Sequence, residues 1–296
     1  MRFNISGMTR DIWASWLLER RSGGDPEVAE RVRKELHPIR DRVLDGAQLG
    51  SHDRLLDVGC GDGLIAFGAL ERGQPEVIFS DVSQDLLDTC RHAATELGVA
   101  ERCRFLRASA DDLGGLAGGC VDAVTTRSVL IFVRDKAQAF REFWRVLAPG
   151  GRVSLFEPIN RYFCDADGRL PPAYDTRPIQ DLAARVGSIY RQVPPPGASP
   201  MMNFDERDLL AATELAGFSE IHLCLDIDVQ PTEPRRWEHF YRSAPNPLAP
   251  TLEEALHQAL TPTEIDRYVE HVRPLVESGA GTTRRAAVYL SAAKRA

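Results

Sequence analysis

Between Glu76 and Ala148 the chain contains no proline, and short apolar runs there alternate with stretches of helical spacing. Proline breaks both strands and helices, so its absence over such a length permits uninterrupted regular structure. The alternation begins with Arg54–Val58, an apolar run that ends in glycines, as a buried parallel strand does. Leu64–Arg72 reads as a helix closed by Gly73, Val77–Ser80 as a strand, and Gln84–Leu97 as a helix stopped by Gly98. Arg104–Arg107 and Val121–Thr126 read as further strands, Asp135–Leu147 as an amphipathic helix ending at Pro149-Gly150-Gly151, and Arg152–Phe156 as a fifth strand. Strands alternating with helices of this length predict an α/β fold with a doubly wound, mostly parallel sheet.

Proline is concentrated elsewhere: of 19 residues, 14 lie beyond position 170. The stretches Pro171–Pro200 and Pro231–Pro274 therefore read as loops and short helices with imposed turns. Beyond them the spacing predicts a helix over Glu206–Ala216, a strand over Ile221–Val229, helices over Leu252–Leu260 and Thr263–Glu277, and a closing strand over Arg285–Ser291. Near the start, Asp11–Arg21 and Pro26–Leu44 have helical spacing. These readings divide the chain into an N-terminal helical cap (1–48), a cofactor-binding α/β core (49–160), a lid or loop segment (161–204), and the end of the core sheet (205–296), which carries a helical insertion at about 231–283.

Composition excludes some classes of function. With 36 Lys and Arg against 43 Asp and Glu, the formal charge of −7 leaves no general electrostatic footprint for nucleic acid or anionic lipid. No apolar run is long enough for a membrane span, and Met1-Arg2-Phe3-Asn4 is followed by no apolar leader. The six cysteines (Cys60, Cys90, Cys103, Cys120, Cys164, Cys224) form no C-x-x-C pair. They read as reduced thiols of a cytoplasmic protein, and no metal site is expected. The sequence leaves the oligomeric state open, a homodimer included.

The most informative stretch is Leu55-Leu56-Asp57-Val58-Gly59-Cys60-Gly61-Asp62-Gly63. Glycines at alternate positions after a strand let the backbone turn sharply and approach a ligand with no Cβ in the way. A dinucleotide loop requires G-x-G-x-x-G, whereas here the third glycine comes one position early and Leu64 follows it. A P-loop requires Gly-Lys-Ser/Thr, which is absent. The second strand runs into Asp81, 18 positions after Gly63. A carboxylate at that strand end can accept hydrogen bonds from two ribose hydroxyls. The ligand is read as a nucleoside-bearing molecule without a pyrophosphate.

With Asp57–Gly63 followed by Asp81, then Ala108-Ser109-Ala110-Asp111-Asp112-Leu113, Val121–Thr126 and Phe143–Gly151, the chain resembles the class I S-adenosylmethionine-dependent methyltransferases of the small-molecule type. The resemblance covers about residues 50–160 and extends through the last two strands. It implies a Rossmann-like sheet of seven strands, the last antiparallel, with helical lid insertions, and S-adenosylmethionine as cofactor. It also implies that Gly59 and Gly61, with Cys60 between them fitting the loop, approach the methionine part, and that Asp57 helps to hold its amino group. Asp81 would bind the ribose, with Val82 against the adenine. Ser109, Ala110 and Asp111 would border the adenine edge, and Arg127 and Ser128 would lie near the methionine end. The position of Ser109 is more often an aspartate in the family, so Asp111 is the alternative acceptor for the adenine amino group.

Acceptor contacts belong at the carboxyl ends of the strands. After the fifth strand, Glu157 and Tyr162 are the candidate catalytic groups, Glu157 to orient or deprotonate the acceptor, with a salt bridge to Arg127 or Arg161 as its structural alternative. Trp13 and Trp16 share a helix face, and that face either caps an apolar acceptor or packs the helix onto the domain. Trp237, Phe240 and Tyr241 form a similar cluster. No histidine falls at a motif position, and Leu130-Ile131-Phe132 is apolar where many small-molecule members carry a polar residue or a histidine. The expected function is methyl transfer to a small-molecule acceptor, such as a secondary metabolite. The alternatives are a protein of the same fold with non-methylating chemistry, a dinucleotide-dependent oxidoreductase, and a noncatalytic binding subunit.

Overall fold

The structure is a computed structural model and describes residues 10–73, 76–164, 173–191 and 199–295. Seven strands form one sheet: β1 Arg54–Val58, β2 Glu76–Asp81, β3 Cys103–Arg107, β4 Val121–Arg127, β5 Leu147–Pro158, β6 Ser219–Pro231 and β7 Thr282–Ala293. Their order is β3-β2-β1-β4-β5-β7-β6. The first five strands pair in parallel, and β7 runs antiparallel to both β5 and β6. The central strands are apolar on both faces: Leu55, Leu56, Val77, Phe79, Ala123 and Val124 are all buried, as in a sheet covered by helices on each side. Strand order reverses between β1 and β4, and a crevice opens beyond their carboxyl ends at such a switch point.

In chain order the helices are α1 Ile12–Ser15, α2 Pro26–Glu35, α3 His37–Ala47, α4 Leu64–Glu71, α5 Gln84–Glu96, α6 Lys136–Val146, α7 Gln180–Arg191, α8 Glu206–Leu215, α9 Trp237–Arg242, α10 Leu252–Ala259 and α11 Pro262–Ser278. Local chemistry sets many of their ends. The Ser83 hydroxyl accepts the Leu86 N–H at the start of α5, and capping boxes open α10 at Thr251 and α11 at Thr261. The αL residue Gly279 closes α11.

Several sequence expectations change. Pro26–Leu44 is not one helix but two, because Pro38 lacks the N–H that would continue α2 and instead sits in the first turn of α3. The Asp11–Arg21 stretch is α1 followed by a π turn over Trp16–Arg20, whose closing Arg21 N–H bonds the Trp16 carbonyl at 2.8 Å. The segment 161–204 carries α7, one of the short helices read into Pro171–Pro200; the remainder of that stretch lies partly outside the described residues.

α7, α9, α10 and α11 bury a core of their own, with Tyr174, Leu182, Val186, Trp237, Leu256, Val272 and Val276 at its centre. Trp237 packs there against Tyr241 and Phe240, with ring centroids 5.4 and 5.9 Å apart. That aromatic cluster is a helical core, not an acceptor wall. Among the described residues no helix is long and apolar enough to cross a membrane.

Candidate cofactor and acceptor site

A cavity of about 570 Å³ lies at the switch point. Its floor is the glycine loop after β1. Gly59 and Gly61 have φ of 63° and 56°, a region that L side chains rarely adopt. A Cβ on Gly59 would stand 2.2 Å from Cγ2 of Val129, so only glycine lets the turn after β4 close over the loop.

Asp81 stands at the end of β2 on the cavity wall. Its Oδ2 accepts the Gly61 N–H and its Oδ1 the Ser83 N–H, each at 2.9 Å. The carboxylate therefore braces the loop and the start of α5 and faces the cavity as well. At 6% exposure, burial raises its pKa. Val82, which is 41% exposed, and Ser109, Ala110 and Asp111 continue the wall. The Ser109 hydroxyl bonds the Asp111 carboxylate. Arg127 and Ser128 complete it beyond β4, and Ser128 is held at a φ of 56° by the bond from its N–H to the Phe156 carbonyl. Nine of the eleven residues expected to hold cofactor thus meet on one cavity.

Asp57 and Cys60 do not reach it. Asp57 is buried, and its carboxylate is taken by the Ala66 N–H (3.2 Å) and the Thr125 hydroxyl (3.0 Å). It fixes the first turn of α4 against β1 and β4, which replaces the expected contact with an amino group. Burial pushes its pKa up to about 7. The Cys60 thiol turns away from the cavity toward Cys90, whose own Sγ lies 3.3 Å from the Gly61 carbonyl.

The two candidate catalytic residues are also displaced. Glu157 is 0% exposed and absent from the cavity wall. Its Oε1 accepts the N–H groups of Val129 and Leu130 at 2.9 Å, and its Oε2 accepts that of Ile131 at 3.2 Å. A carboxylate bound by three backbone donors holds the turn that lines the cavity and is not available to deprotonate an acceptor. It forms no salt bridge with Arg127 or Arg161; Arg127 and Lys136 act on it only through charge. Burial pushes its pKa up to about 7. Tyr162 is 46% exposed, packs edge-on against Phe163, and stands off the wall.

The N-terminal segment supplies the opposite wall with Trp13, Trp16, Leu17 and Arg21. Trp13 meets Phe132 edge-on at 5.0 Å, and the Trp16 indole N–H donates to the Ala244 carbonyl at 2.9 Å. Both tryptophans are thus wall and packing residues at once. Leu17 and Arg21 were not singled out from the sequence, although the spacing carries the signal: Leu17 stands at i+4 from Trp13 and Arg21 at i+4 from Leu17, on one helix face. Met201 and Arg134 were missed as well. Lys136 brings Met201 in: its Nζ donates to the Val133 and Pro200 carbonyls (3.0 and 3.1 Å) and to Asn203 (3.2 Å). Burial pushes its pKa down to about 8.

The arrangement is a glycine-floored crevice with one ribose-competent carboxylate, cations at one end and an apolar roof, on a seven-stranded sheet with an antiparallel last strand. Those features define an α/β domain that binds a nucleoside-bearing cofactor. Residues 56–155 match the family described as a methyltransferase domain. The chain is 36% identical over 116 residues to the tRNA 5-carboxymethoxyuridine methyltransferase of Escherichia coli, covering 39% of this chain and 43% of that one. It is 37% identical over 132 residues to the ubiquinone biosynthesis O-methyltransferase of Alkalilimnicola ehrlichii, covering 43% and 52%. The chain thus spans roughly half the length of these curated relatives or less. Among solved structures, a [4+2]-cyclase, SpnF, superposes with a TM-score of 0.52 at 20% identity over 94% of this chain and 88% of that one. A geranyl diphosphate methyltransferase in complex with SAM superposes with a TM-score of 0.51 at 19% identity, over 92% and 94%. Residues 56–155 thus form a methyltransferase domain by the family they match, and S-adenosylmethionine is the cofactor that this match supports.

Proposed function

We propose that this protein transfers the methyl group of S-adenosylmethionine to a small-molecule acceptor, a secondary metabolite, held under the N-terminal aromatic roof. The observation that carries the reading is the cavity itself: one volume bounded by Gly59, Gly61 and Asp81 on one side and by Trp13, Trp16 and Phe132 on the other. The cofactor supplies a methyl group on a positively charged sulfur. Asp81 holds the ribose, and Val82, Ser109, Ala110 and Asp111 border the base. The apolar roof excludes water and orients the acceptor, which is the main contribution a protein makes to a direct displacement. Among the described residues no histidine or buried carboxylate outside the ribose and adenine contacts lines the cavity, so the acceptor is one that needs no strong base.

In this reading residues 1–48, described from residue 10 onward, form the cap, 49–160 the cofactor core, 161–204 the lid or loop segment, and 205–296 the sheet end with its helical insertion at about 231–283. The net charge of −7 supports a small acceptor over a polyanionic one, and the six thiols support a cytoplasmic location. A second reading keeps the cofactor but not the methyl transfer, and it draws support from the cyclase that shares the fold.

Calorimetry with S-adenosylmethionine, S-adenosylhomocysteine and NAD tests the cofactor. Binding of NAD without S-adenosylhomocysteine overturns the proposal. A screen for transfer of labelled methyl to small molecules and to bulk RNA tests the acceptor; label appearing only in RNA rejects the small-molecule part.

A further inference from the structure

Three arginines reach the cavity. Arg134 is exposed at the rim, whereas Arg21 and Arg127 are half-buried on the wall. Among the described residues neither of those two guanidiniums makes a hydrogen bond or an ion pair; Arg21 only lies over the Trp16 ring, 5.8 Å from its centroid. Their neighbours are paired: Arg20 with Glu254 at 2.6 Å and Arg33 with Asp62 at 2.5 Å. Asp62 is the acid that acts on both Arg21 and Arg127 through charge, and its carboxylate is already committed to Arg33. The carboxylates on the wall are Asp81, taken up with the Gly61 and Ser83 N–H groups, and Asp111, bonded to Ser109. One end of the cavity therefore carries unanswered positive charge.

The cofactor does not answer it. S-adenosylmethionine brings one carboxylate together with an ammonium and a sulfonium, so it leaves the sum more positive. Arg127, beside the glycine loop at the end of β4, also feels Asp57 and Glu157, whereas Arg21 has only Asp62 and is repelled by Arg127. A neutral acceptor would leave Arg21 desolvated without a partner, which is costly.

We propose that the acceptor carries an oxyanion, a carboxylate or a phosphate monoester, on an apolar body, and that Arg21 is the residue that receives it while Arg127 serves the carboxylate of the cofactor. The π turn presents Arg21 beside Trp16 and Leu17, so one element supplies both a planar bidentate donor for the charged head and an apolar surface for the body. This inference rests on the cofactor reading above.

The test uses the full chain saturated with S-adenosylhomocysteine and measures binding of phenylacetate, phenyl phosphate and the neutral phenylacetamide by calorimetry. One or both oxyanions should bind at least about tenfold more tightly than the amide, and which of them does so identifies the head group. Arg21→Met should abolish that preference and leave S-adenosylhomocysteine affinity within about twofold, whereas Arg127→Met should weaken S-adenosylhomocysteine itself. Arg21→Lys, which keeps the charge, should retain part of the preference and guards against misfolding of the methionine variant. Equal binding of acid and amide, or binding of neither by protein that binds S-adenosylhomocysteine, overturns the proposal. So does an Arg21→Met variant that weakens S-adenosylhomocysteine as much as Arg127→Met. Failure of the wild-type chain to bind S-adenosylhomocysteine would instead remove the cofactor reading beneath it.

Discussion

The two walls of the cavity are built by different means. The cofactor wall is held by carboxylates that accept backbone N–H groups of the turns beyond the strand ends: Asp81 from Gly61 and Ser83, Asp57 from Ala66, and Glu157 from Val129, Leu130 and Ile131. The roof is held by contacts between distant segments: Trp16 to Ala244, Arg20 to Glu254 and Asp25 to His239 on one side, and Asp11 to Ser83 and Asp85 with Trp13 against Phe132 on the other. A wall wired by buried charge is stiff but sensitive to protonation and to backbone shape. A roof held by a few exposed or half-exposed contacts opens at low cost.

The largest consequence lies in the pH dependence of the cofactor wall. Asp57 and Glu157 have ordinary values of 3.8 and 4.5, and each is pushed up to about 7 by burial. The folded state then keeps protons that the unfolded chain releases, so both groups stabilise the fold fully below about pH 4, and that contribution is lost as pH rises through about 7. Asp41 and Glu264, held low by Arg40 and Arg185, act with the opposite sign but complete their effect at lower pH. Chemical denaturation should therefore give a stability that falls from pH 5 to pH 7.5, by about 2–4 kcal/mol. In Asp57→Asn and in Glu157→Gln the fall should be smaller. A slope unchanged in both variants would mean that these carboxylates are not what makes the wall pH-sensitive.

Backbone shape comes next. Gly59→Ala must place a Cβ 2.2 Å from Val129 at a φ of 63°, which should cost about 2–3 kcal/mol of stability and take S-adenosylhomocysteine affinity with it. Full affinity with full stability would show that the turn after β4 yields, and the contrast between a stiff wall and a soft roof would weaken. Asp81→Ala should reduce cofactor affinity by about 1–3 kcal/mol, measured by calorimetry. Unchanged affinity removes Asp81 from the ribose.

The same contrast explains what the sequence revealed. β1 and the glycine loop were legible because strand, turn and ligand approach are encoded within Arg54–Gly63, where Leu55 and Leu56 are buried and the glycines take positive φ. Asp81 was legible from spacing along one βαβ unit. Glu157 was legible as an acid near the right strand end but not in its role, because its partners are N–H groups some 26 to 28 residues away and backbone donors leave no trace in composition. Arg21 was passed over for a different reason: i+4 spacing from Leu17 puts it on the face of Trp13 and Leu17, but spacing alone does not tell a cavity-lining cation from a solvated one.

The smallest effect tests how the roof is held. Trp16→Phe keeps the aromatic surface but removes the indole N–H that reaches the Ala244 carbonyl. Losing one such bond should cost about 0.5–1.5 kcal/mol. In a chain of this size that moves a melting temperature by at most about 2–4 °C. The informative measurement is hydrogen exchange by segment. If the roof is an independently opening unit, protection should fall over residues 12–21 and near Ala244, while β1, β4 and the glycine loop between them keep theirs. Affinity for S-adenosylhomocysteine should then fall only slightly, because its polar contacts lie on the other wall, and any ligand held by Arg21 should lose more. Exchange that quickens equally in the roof and in β1 would show that the two walls unfold as one unit, and the distinction drawn between them would not stand.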